Sequence, residues 1–116
     1  VVTYVLYSVD HDGQAAREAV REATAFYLTA MPDNALSEVY GIQPQLQELL
    51  AAGTLERELP AQWLEDLAVA GDPDEVAAKI RALLEAGSDS VCLWLFPLDR
   101  GEELLELTAR EVLSRI

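Results

Sequence analysis

The sequence predicts an α/β fold built on three parallel strands with helices packed against them. Residues 66–96, DLAVAGDPDEVAAKIRALLEAGSDSVCLWLF, read as a strand, a turn, a helix, a glycine stop and a second strand. Both strands are apolar on successive residues, which is typical of parallel strands buried on both faces. A third apolar segment, Val1–Val9, opens the chain and precedes another helical pattern. The length of 116 residues indicates a single α/β domain spanning residues 1–116.

The first strand is expected over Val1–Val9, because this segment is rich in β-branched and aromatic residues. The turn Asp10–Gly13 follows, and Asp12 is placed to cap the next helix. Apolar residues then recur at spacings of three and four, which predicts a helix face packed against the sheet. These residues are Ala16, Ala19, Val20, Ala23 and Phe26 or Tyr27.

The segment from Met31 to Pro60 is less regular and predicts a helical excursion between two strands. Prolines and glycines divide it into short helices, and one further short helix is expected over Ala61–Leu67, because Pro60 suits a helix start. The dividing residues are Pro32, Gly41, Pro44 and Gly53.

The most regular unit follows, with a strand over Leu67–Ala70 and a second over Ser90–Phe96. Asp72 and Glu75 have the spacing of a capping box, and Pro73 occupies the first helical position. The buried stripe of this helix is expected to consist of Val76, Ile80, Leu83 and Leu84, with Gly87 ending the helix.

A last helix is expected over Glu102–Ile116, with Leu105, Thr108, Val112 and Ile116 on its buried side. The resulting order is β-α-(αα)-β-α-β-α. Because each strand is followed by a helix, the strands should pair in parallel.

The composition excludes several classes of function. The formal charge is −13, from 21 acidic and 8 basic side chains, so this acidic chain should repel nucleic acid. Cys92 and His11 are the only cysteine and histidine, so no internal disulfide and no cysteine or histidine metal cluster is expected. No signal peptide is recognisable, and no apolar run reaches the roughly 20 residues of a membrane helix. We therefore expect a cytoplasmic protein that binds neither nucleic acid nor membrane.

Two segments resemble a known family. Residues 7–28, YSVDHDGQAAREAVREATAFYL, are similar to the strand, Asp-containing turn and alanine-rich helix found near the C-terminus of the luciferase-like monooxygenase superfamily. Residues 67–95 match its pattern of apolar strand, Gly, Pro, acidic helix start, Ala-Gly and closing strand, and the leucine-rich last helix extends the likeness. The family comprises flavin-dependent monooxygenases and deazaflavin-dependent oxidoreductases.

The resemblance implies that the strands are the last three of a (β/α)8 TIM barrel, which usually takes about 250 residues. The chain would then be a partial barrel, as a fragment or a truncated form. Its partner would be the missing N-terminal half or further copies in a homo-oligomer, because open edges and an apolar inner face need cover.

The implied cofactor is FMN or the deazaflavin coenzyme F420, and the implied activity is that of an oxidoreductase or monooxygenase. In the family most cofactor contacts come from the earlier β/α units. The isolated chain is therefore expected to lack most of the cofactor site and to be inactive. A non-catalytic self-associating α/β module is the alternative, and a small acidic regulatory domain is a weaker third.

Gly71 and Asp72 are the candidate cofactor-binding residues, because free amides at a helix N-terminus bind phosphate. The alternative is that Asp72 fills these amides as a cap. The family more often has Ser or Thr at this position, which weakens the phosphate interpretation.

His11 and Arg100 are the candidate substrate-binding residues, because both follow strands on the edge where barrels hold their chemistry. A histidine between two carboxylates is suited to proton transfer, but a solvated turn explains the same residues. Trp94 and Phe96 either line a ligand pocket or belong to the core, and Cys92 is expected to be an inert buried thiol. No residue is assigned a catalytic role and no metal site is expected, and no dinucleotide or P-loop fingerprint is present.

Overall fold

The computed structural model describes residues 1–31 and 35–116 and confirms the α/β class. The strands are β1 (Val2–Val9), β2 (Ala68–Gly71) and β3 (Ser90–Leu95). The helices are α1 (Gly13–Ala30), α2 (Ala35–Val39), α3 (Gln43–Ala52), α4 (Leu55–Glu58), α5 (Ala61–Leu67), α6 (Pro73–Glu85) and α7 (Gly101–Leu107). A 3-10 turn (Leu98–Arg100) precedes α7, and a π-helical turn (Thr108–Val112) and a 3-10 turn (Leu113–Arg115) follow it.

The three strands form one parallel sheet in the order β2-β1-β3. The first strand is therefore central, with Leu6 beside Ala68 of β2 and beside Trp94 of β3. The parallel pairing agrees with the prediction from strand–helix alternation. The neighbour order was not predictable from that pattern, because the connection from β2 to β3 passes across β1.

Helices lie on both faces of the sheet, because successive side chains of a strand point to opposite faces. On one face α1 and α5 contact Leu6, Ala68 and Ala70. On the other face α6 and α7 contact Tyr7 and Val69. Two separate apolar clusters result, and β1 and β2 contribute to both.

Aspartate caps begin the two helices that directly follow β1 and β2, as the sequence predicted. The backbone N–H of Gln14 donates to Asp12 Oδ1 over 3.1 Å. In α6 the N–H of Glu75 donates to Asp72 Oδ1 (2.9 Å), and the N–H of Asp72 donates to Glu75 Oε1 (3.1 Å). This reciprocal pair is a complete capping box, in which two otherwise unpaired helix donors are satisfied.

The expectation that the last strand is buried on both faces was wrong. In β3 the residues alternate between exposed and partly buried, whereas all four residues of β2 are buried. Trp94 is 58% exposed and Cys92 is an exposed thiol, so neither is a buried core residue. The physical reason is that α1 covers the β1–β2 half of its face and does not reach across β3.

The last helix also differs from the prediction of one helix over Glu102–Ile116. The α-helix ends at Leu107 and a π-helical turn takes over. Leu104 is buried while Leu105 and Ile116 are exposed. The predicted burial of Thr108 and Val112 is confirmed.

The excursion between β1 and β2 contains the short helices α2 to α5, and α5 spans the predicted Ala61–Leu67. Pro32 lies outside the described residues. Gly41 and Gly53 have positive φ angles of 67° and 69°, and each follows the end of a short helix as predicted. In the part of the chain that the structure describes, no helix is long and apolar enough to cross a membrane.

Candidate functional site

The carboxyl ends of the three strands meet at one edge of the sheet. There the N–H of Asp10 donates to Gly71 O (3.2 Å), and the N–H of Phe96 donates to Tyr7 O (2.9 Å). Each of the sequence-predicted site residues, His11, Gly71, Asp72 and Arg100, lies in a strand end or following turn at this edge. In open α/β sheets ligands bind outside the carboxyl ends of the strands, so this edge is the candidate site.

His11 pairs with Glu111, a residue 100 positions later in the chain. The distance from His11 Nε2 to Glu111 Oε2 is 2.8 Å, and both side chains are in contact with solvent. Sequence reasoning placed His11 between Asp10 and Asp12 and missed Glu111. No local sequence pattern predicts this contact, because Glu111 lies in the π-helical turn, far from His11 in the sequence.

Arg100 is held by two carboxylates. Its guanidinium donates to Glu103 Oε2 from Nε (3.1 Å) and from the terminal nitrogen (2.9 Å). Asp10 Oδ2 lies 3.9 Å from the other terminal nitrogen. The turn after β3 is thereby tied to the turn after β1. The contact to Glu103 has a spacing of three residues, which sequence inspection could have found, whereas the contact to Asp10 depends on the central position of β1.

A buried hydrogen bond anchors the π-helical turn. The hydroxyl of Tyr7 lies 2.9 Å from Thr108 Oγ1, and the hydroxyl of Thr108 lies 2.6 Å from Leu104 O, where it can only donate. Burial raises the pKa of the Tyr7 hydroxyl. This contact links the centre of β1 to the turn that carries Glu111, so it fixes the position of the partner of His11.

The residues around Gly71 and Asp72 do not fit a phosphate as they stand. The side chains of Asp72 and Glu75 already occupy amides at the N-terminus of α6. A Cβ built on Gly71 would lie 2.9 Å from Glu75 Cβ, and one built on Gly13 would lie 2.7 Å from Glu75 Oε1. The side chain of Glu75 therefore occupies the space between Gly13 and Gly71. The guanidinium of Arg17 pairs with the Glu75 carboxylate at 3.1 Å. A cofactor role for Gly71 and Asp72 remains a prediction that requires this cap to open.

Trp94 and Phe96 form a tilted ring pair with centroids 5.4 Å apart. Phe96 packs against the core, whereas Trp94 lines a cavity of about 160 Å³ on the sheet face next to α1. That cavity lies away from the carboxyl edge, so the aromatic pair and the polar residues do not converge on one pocket. Among the described residues, no group of three His, Cys, Asp or Glu side chains is arranged to hold a metal ion.

The edge can therefore bind polar groups through His11 and Arg100, whose side chains are in contact with solvent. The turns after β1 and β3 carry hydrogen-bonding and charged side chains, and the ion pair between Asp10 and Arg100 connects the two turns.

Comparison with known proteins gives matches in sequence along nearly the whole chain. The 5,10-methylenetetrahydromethanopterin reductase of Methanopyrus kandleri is 32% identical, over 97% of this chain and 34% of the reductase. The reductase of the same name from Methanolobus tindarius is 23% identical, over 98% of this chain and 37% of the relative. The chain thus spans about a third of the length of the curated relatives it matches. No protein-family model matches it.

Solved structures give the same answer for the fold. The coenzyme F420-dependent tetrahydromethanopterin reductase of Methanopyrus kandleri superposes with a TM-score of 0.80 at 32% identity, covering 98% of this chain and 35% of the reductase. The oxygenating constituent of 3,6-diketocamphane monooxygenase from Pseudomonas putida, solved with FMN, gives a TM-score of 0.58 at 20% identity, covering 99% and 33%. At 20% identity the second likeness bears on the fold alone. Together the matches confirm the resemblance that residues 7–28 and 67–95 indicated.

Proposed function

We propose that this chain, which resembles the C-terminal part of the luciferase-like monooxygenase superfamily, is the C-terminal portion of a deazaflavin-dependent oxidoreductase. The observation that carries the proposal is the match of 97% of the chain, at 32% identity, to one third of an F420-dependent reductase. The rest of the barrel, with most of the cofactor site, is then supplied by the remainder of a longer polypeptide.

Coenzyme F420 is favoured over FMN as the cofactor. The F420-dependent reductase is the more similar of the two solved structures, with 32% against 20% identity and a TM-score of 0.80 against 0.58. When bound, the deazaflavin supplies hydride transfer, and the protein supplies its binding and orientation. The names of the curated relatives make 5,10-methylenetetrahydromethanopterin the first substrate to test.

His11 and Arg100 are assigned to substrate contact at the open carboxyl edge. Their side chains are 70% and 47% exposed, so both can reach a ligand without unfolding the turns that carry them. The chain is inactive alone in this proposal, because most of the cofactor site lies in the remainder of the longer polypeptide.

The first experiment titrates the isolated chain with F420 and, separately, with FMN, following cofactor fluorescence. We expect no saturable stoichiometric binding of either cofactor. Tight one-to-one binding would overturn the proposal that most of the site lies elsewhere.

The second experiment reads the genomic frame upstream of the codon for Val1 and assays the product of the whole frame. We expect further β/α units in frame and a gain of F420 absorbance when reduced F420 is mixed with 5,10-methylenetetrahydromethanopterin, because the hydride passes from the reduced deazaflavin to the substrate. A whole-frame product that neither binds F420 nor oxidises its reduced form would overturn the cofactor assignment.

Variants of the whole-frame product then test the two site residues. His11→Asn and Arg100→Gln are expected to raise KM severalfold with little change in kcat, since these residues bind substrate and carry no chemical step. Arg110→Gln is the matched control, because Arg110 pairs with Glu106 at 2.9 Å on the last helix. An equal effect of the control would remove the assignment.

A further inference from the structure

The pair formed by His11 and Glu111 joins the carboxyl edge of the sheet to the last part of the chain. His11 follows β1, the central strand, and Glu111 lies in the π-helical turn Thr108–Val112. The distance of 2.8 Å from His11 Nε2 to Glu111 Oε2 is that of a charge-assisted hydrogen bond. π-Helical turns are rare and occur frequently at functional sites, so this turn points to a role for Glu111 beyond local stability.

The two carboxylates next to His11 in the sequence are used by other groups. Asp10 Oδ1 accepts a hydrogen bond from the N–H of Asp12 (2.9 Å), and Asp10 Oδ2 lies 3.9 Å from the guanidinium of Arg100. Asp12 Oδ1 accepts a backbone N–H of α1 as the cap of that helix (3.1 Å). Within residues 1–31 and 35–116, Glu111 is therefore the one carboxylate that forms a hydrogen bond with the imidazole.

The carboxylate of Glu111 is likewise available to His11, because the arginines near it in the sequence bind other groups. Arg110 pairs with Glu106 at 2.9 Å. Arg115 donates to the main-chain carbonyl of Glu111 and not to its carboxylate. Among the described residues, the Glu111 carboxylate thus has the imidazole of His11 as its one ion-pair partner.

Buried contacts fix the main chain that carries Glu111. Thr108 is buried and its hydroxyl lies 2.9 Å from that of Tyr7 in β1, and Val112 is also buried. Because Thr108 and Val112 flank Glu111 in the sequence, its main chain is held against the same strand that leads to His11. The Glu111 side chain is 37% exposed and the His11 side chain 70%. A fixed carboxylate therefore meets an imidazole that is largely open to solvent.

The bond to Glu111 determines which ring nitrogen of His11 carries the proton. A carboxylate only accepts hydrogen bonds, so the proton of a neutral His11 ring lies on Nε2, and Nδ1 is the unprotonated nitrogen. In the part of the chain that the structure describes, no group donates to Nδ1. The neutral ring therefore offers one acceptor at the carboxyl edge, which fits an N–H or O–H group of a ligand and not a carbonyl or a phosphate.

We propose that Glu111 is a positioning residue, which holds His11 in the tautomer with the proton on Nε2, so that Nδ1 accepts a hydrogen bond from an N–H or O–H group of the substrate. Arg100, on the turn after β3, offers donors at the same edge. The two side chains together suit a substrate that presents both a donor and an acceptor. The role toward substrate rests on the proposed function, whereas the tautomer is a property of the 116-residue chain by itself.

Nuclear magnetic resonance tests the tautomer without any cofactor, because His11 is the only histidine of the chain. Long-range 1H–15N spectra of the ring are recorded at rising pH until the shifts no longer change, so that the neutral ring is observed. We expect a proton on Nε2 alone in the wild type, and 15N shifts averaged between the two tautomers in Glu111→Ala.

Glu106→Ala is the matched control for these spectra, because Glu106 is an exposed carboxylate that pairs with Arg110 on the same helical segment. Its ring spectrum should equal that of the wild type, and circular dichroism checks that both variants are folded. Identical ring spectra for Glu111→Ala and the wild type would overturn the proposal. A wild-type ring that populates both tautomers would overturn it without recourse to any variant.

Kinetics of the whole-frame product test the consequence for the substrate. Glu111→Ala should raise KM for 5,10-methylenetetrahydromethanopterin severalfold with little change in kcat, and it should add nothing in a His11→Asn background, because both changes remove the same contact. Glu106→Ala should leave KM unchanged. A wild-type KM in Glu111→Ala, or an equal rise in KM with and without His11, would overturn the positioning role. An inactive whole-frame product would instead refute the proposed function, and the ring spectra would still decide whether Glu111 positions His11.

Discussion

Removing the hydroxyl of Thr108 should destabilise the fold more than removing the hydroxyl of Tyr7, although the two share one hydrogen bond. Both side chains are buried, at 5% and 0% exposure, and their oxygens lie 2.9 Å apart. Thr108 also lies 2.6 Å from Leu104 O, to which its hydroxyl donates. Because the single proton of Thr108 is used there, Tyr7 must be the donor to Thr108.

The two single substitutions therefore leave different groups behind. Tyr7→Phe removes a donor while Thr108 keeps its bond to Leu104, and we expect a loss of about 1 kcal/mol. Thr108→Val keeps the shape but leaves the Tyr7 hydroxyl buried without a partner, and we expect a loss of about 2–3 kcal/mol. The double variant has no stranded group, so its loss should be about 1 kcal/mol or less.

Urea unfolding followed by far-ultraviolet circular dichroism measures these free energies, provided that the slopes are unchanged. Thr24→Val is the control, because the Thr24 hydroxyl is fully buried and donates over 2.8 Å to Val20 O of its own helix. That carbonyl lies within a helix, so we expect a loss below about 1 kcal/mol. Additive losses in the double variant would refute the reasoning, and so would a Tyr7→Phe loss as large as that of Thr108→Val.

Three further predictions follow from the same structure. Burial raises the pKa of Tyr7 in the folded state, so the unfolded chain releases this proton first, and the free energy of unfolding should fall above about pH 10. In urea titrations at increasing pH, the free energy of unfolding of Tyr7→Phe should fall less than that of the wild type. An identical pH profile for the two proteins would contradict this prediction. Asp72→Ala should cost about 1 kcal/mol in thermal unfolding through loss of the cap, while Asp72→Ser retains most of it, and equal losses would argue against capping. Gly71→Ala should cost about 1–2 kcal/mol more than Gly87→Ala, because both residues have positive φ (156° and 117°) but only at Gly71 would the new Cβ meet a neighbour, Glu75 Cβ at 2.9 Å. Equal unfolding midpoints for Gly71→Ala and Gly87→Ala would show that the backbone strain of a positive φ, and not the contact with Glu75, determines the loss of stability.

The unit from Leu67 to Gly87 was predictable because its determinants are local. The cap, the proline at the first helical position and the glycine stop act within a few residues of one another. The helix start at Pro73 and the capping box were therefore read correctly. The strand after it was placed correctly, but its burial was not, because burial depends on which helix reaches across it.

The candidate site was predictable only in part. The rule that the carboxyl ends of parallel strands meet at one edge correctly placed His11 and Arg100 at that edge. The partner of His11 could not be predicted, because Glu111 reaches it through a π-helical turn 100 residues later in the chain. The buried bond between Tyr7 and Thr108, which holds that turn, also joins residues far apart in the sequence.

The sequence by itself determined the α/β class, the parallel pairing, the caps of α1 and α6 and the family resemblance, since each depends on patterns within a short segment. Only the tertiary structure decided that β1 is central, that β3 is half exposed and that Trp94 and Cys92 lie on an open sheet face. The physical reason is the path of the chain. An apolar pattern indicates that a segment prefers burial. Whether the folded chain covers that segment depends on where helices distant in the sequence pack.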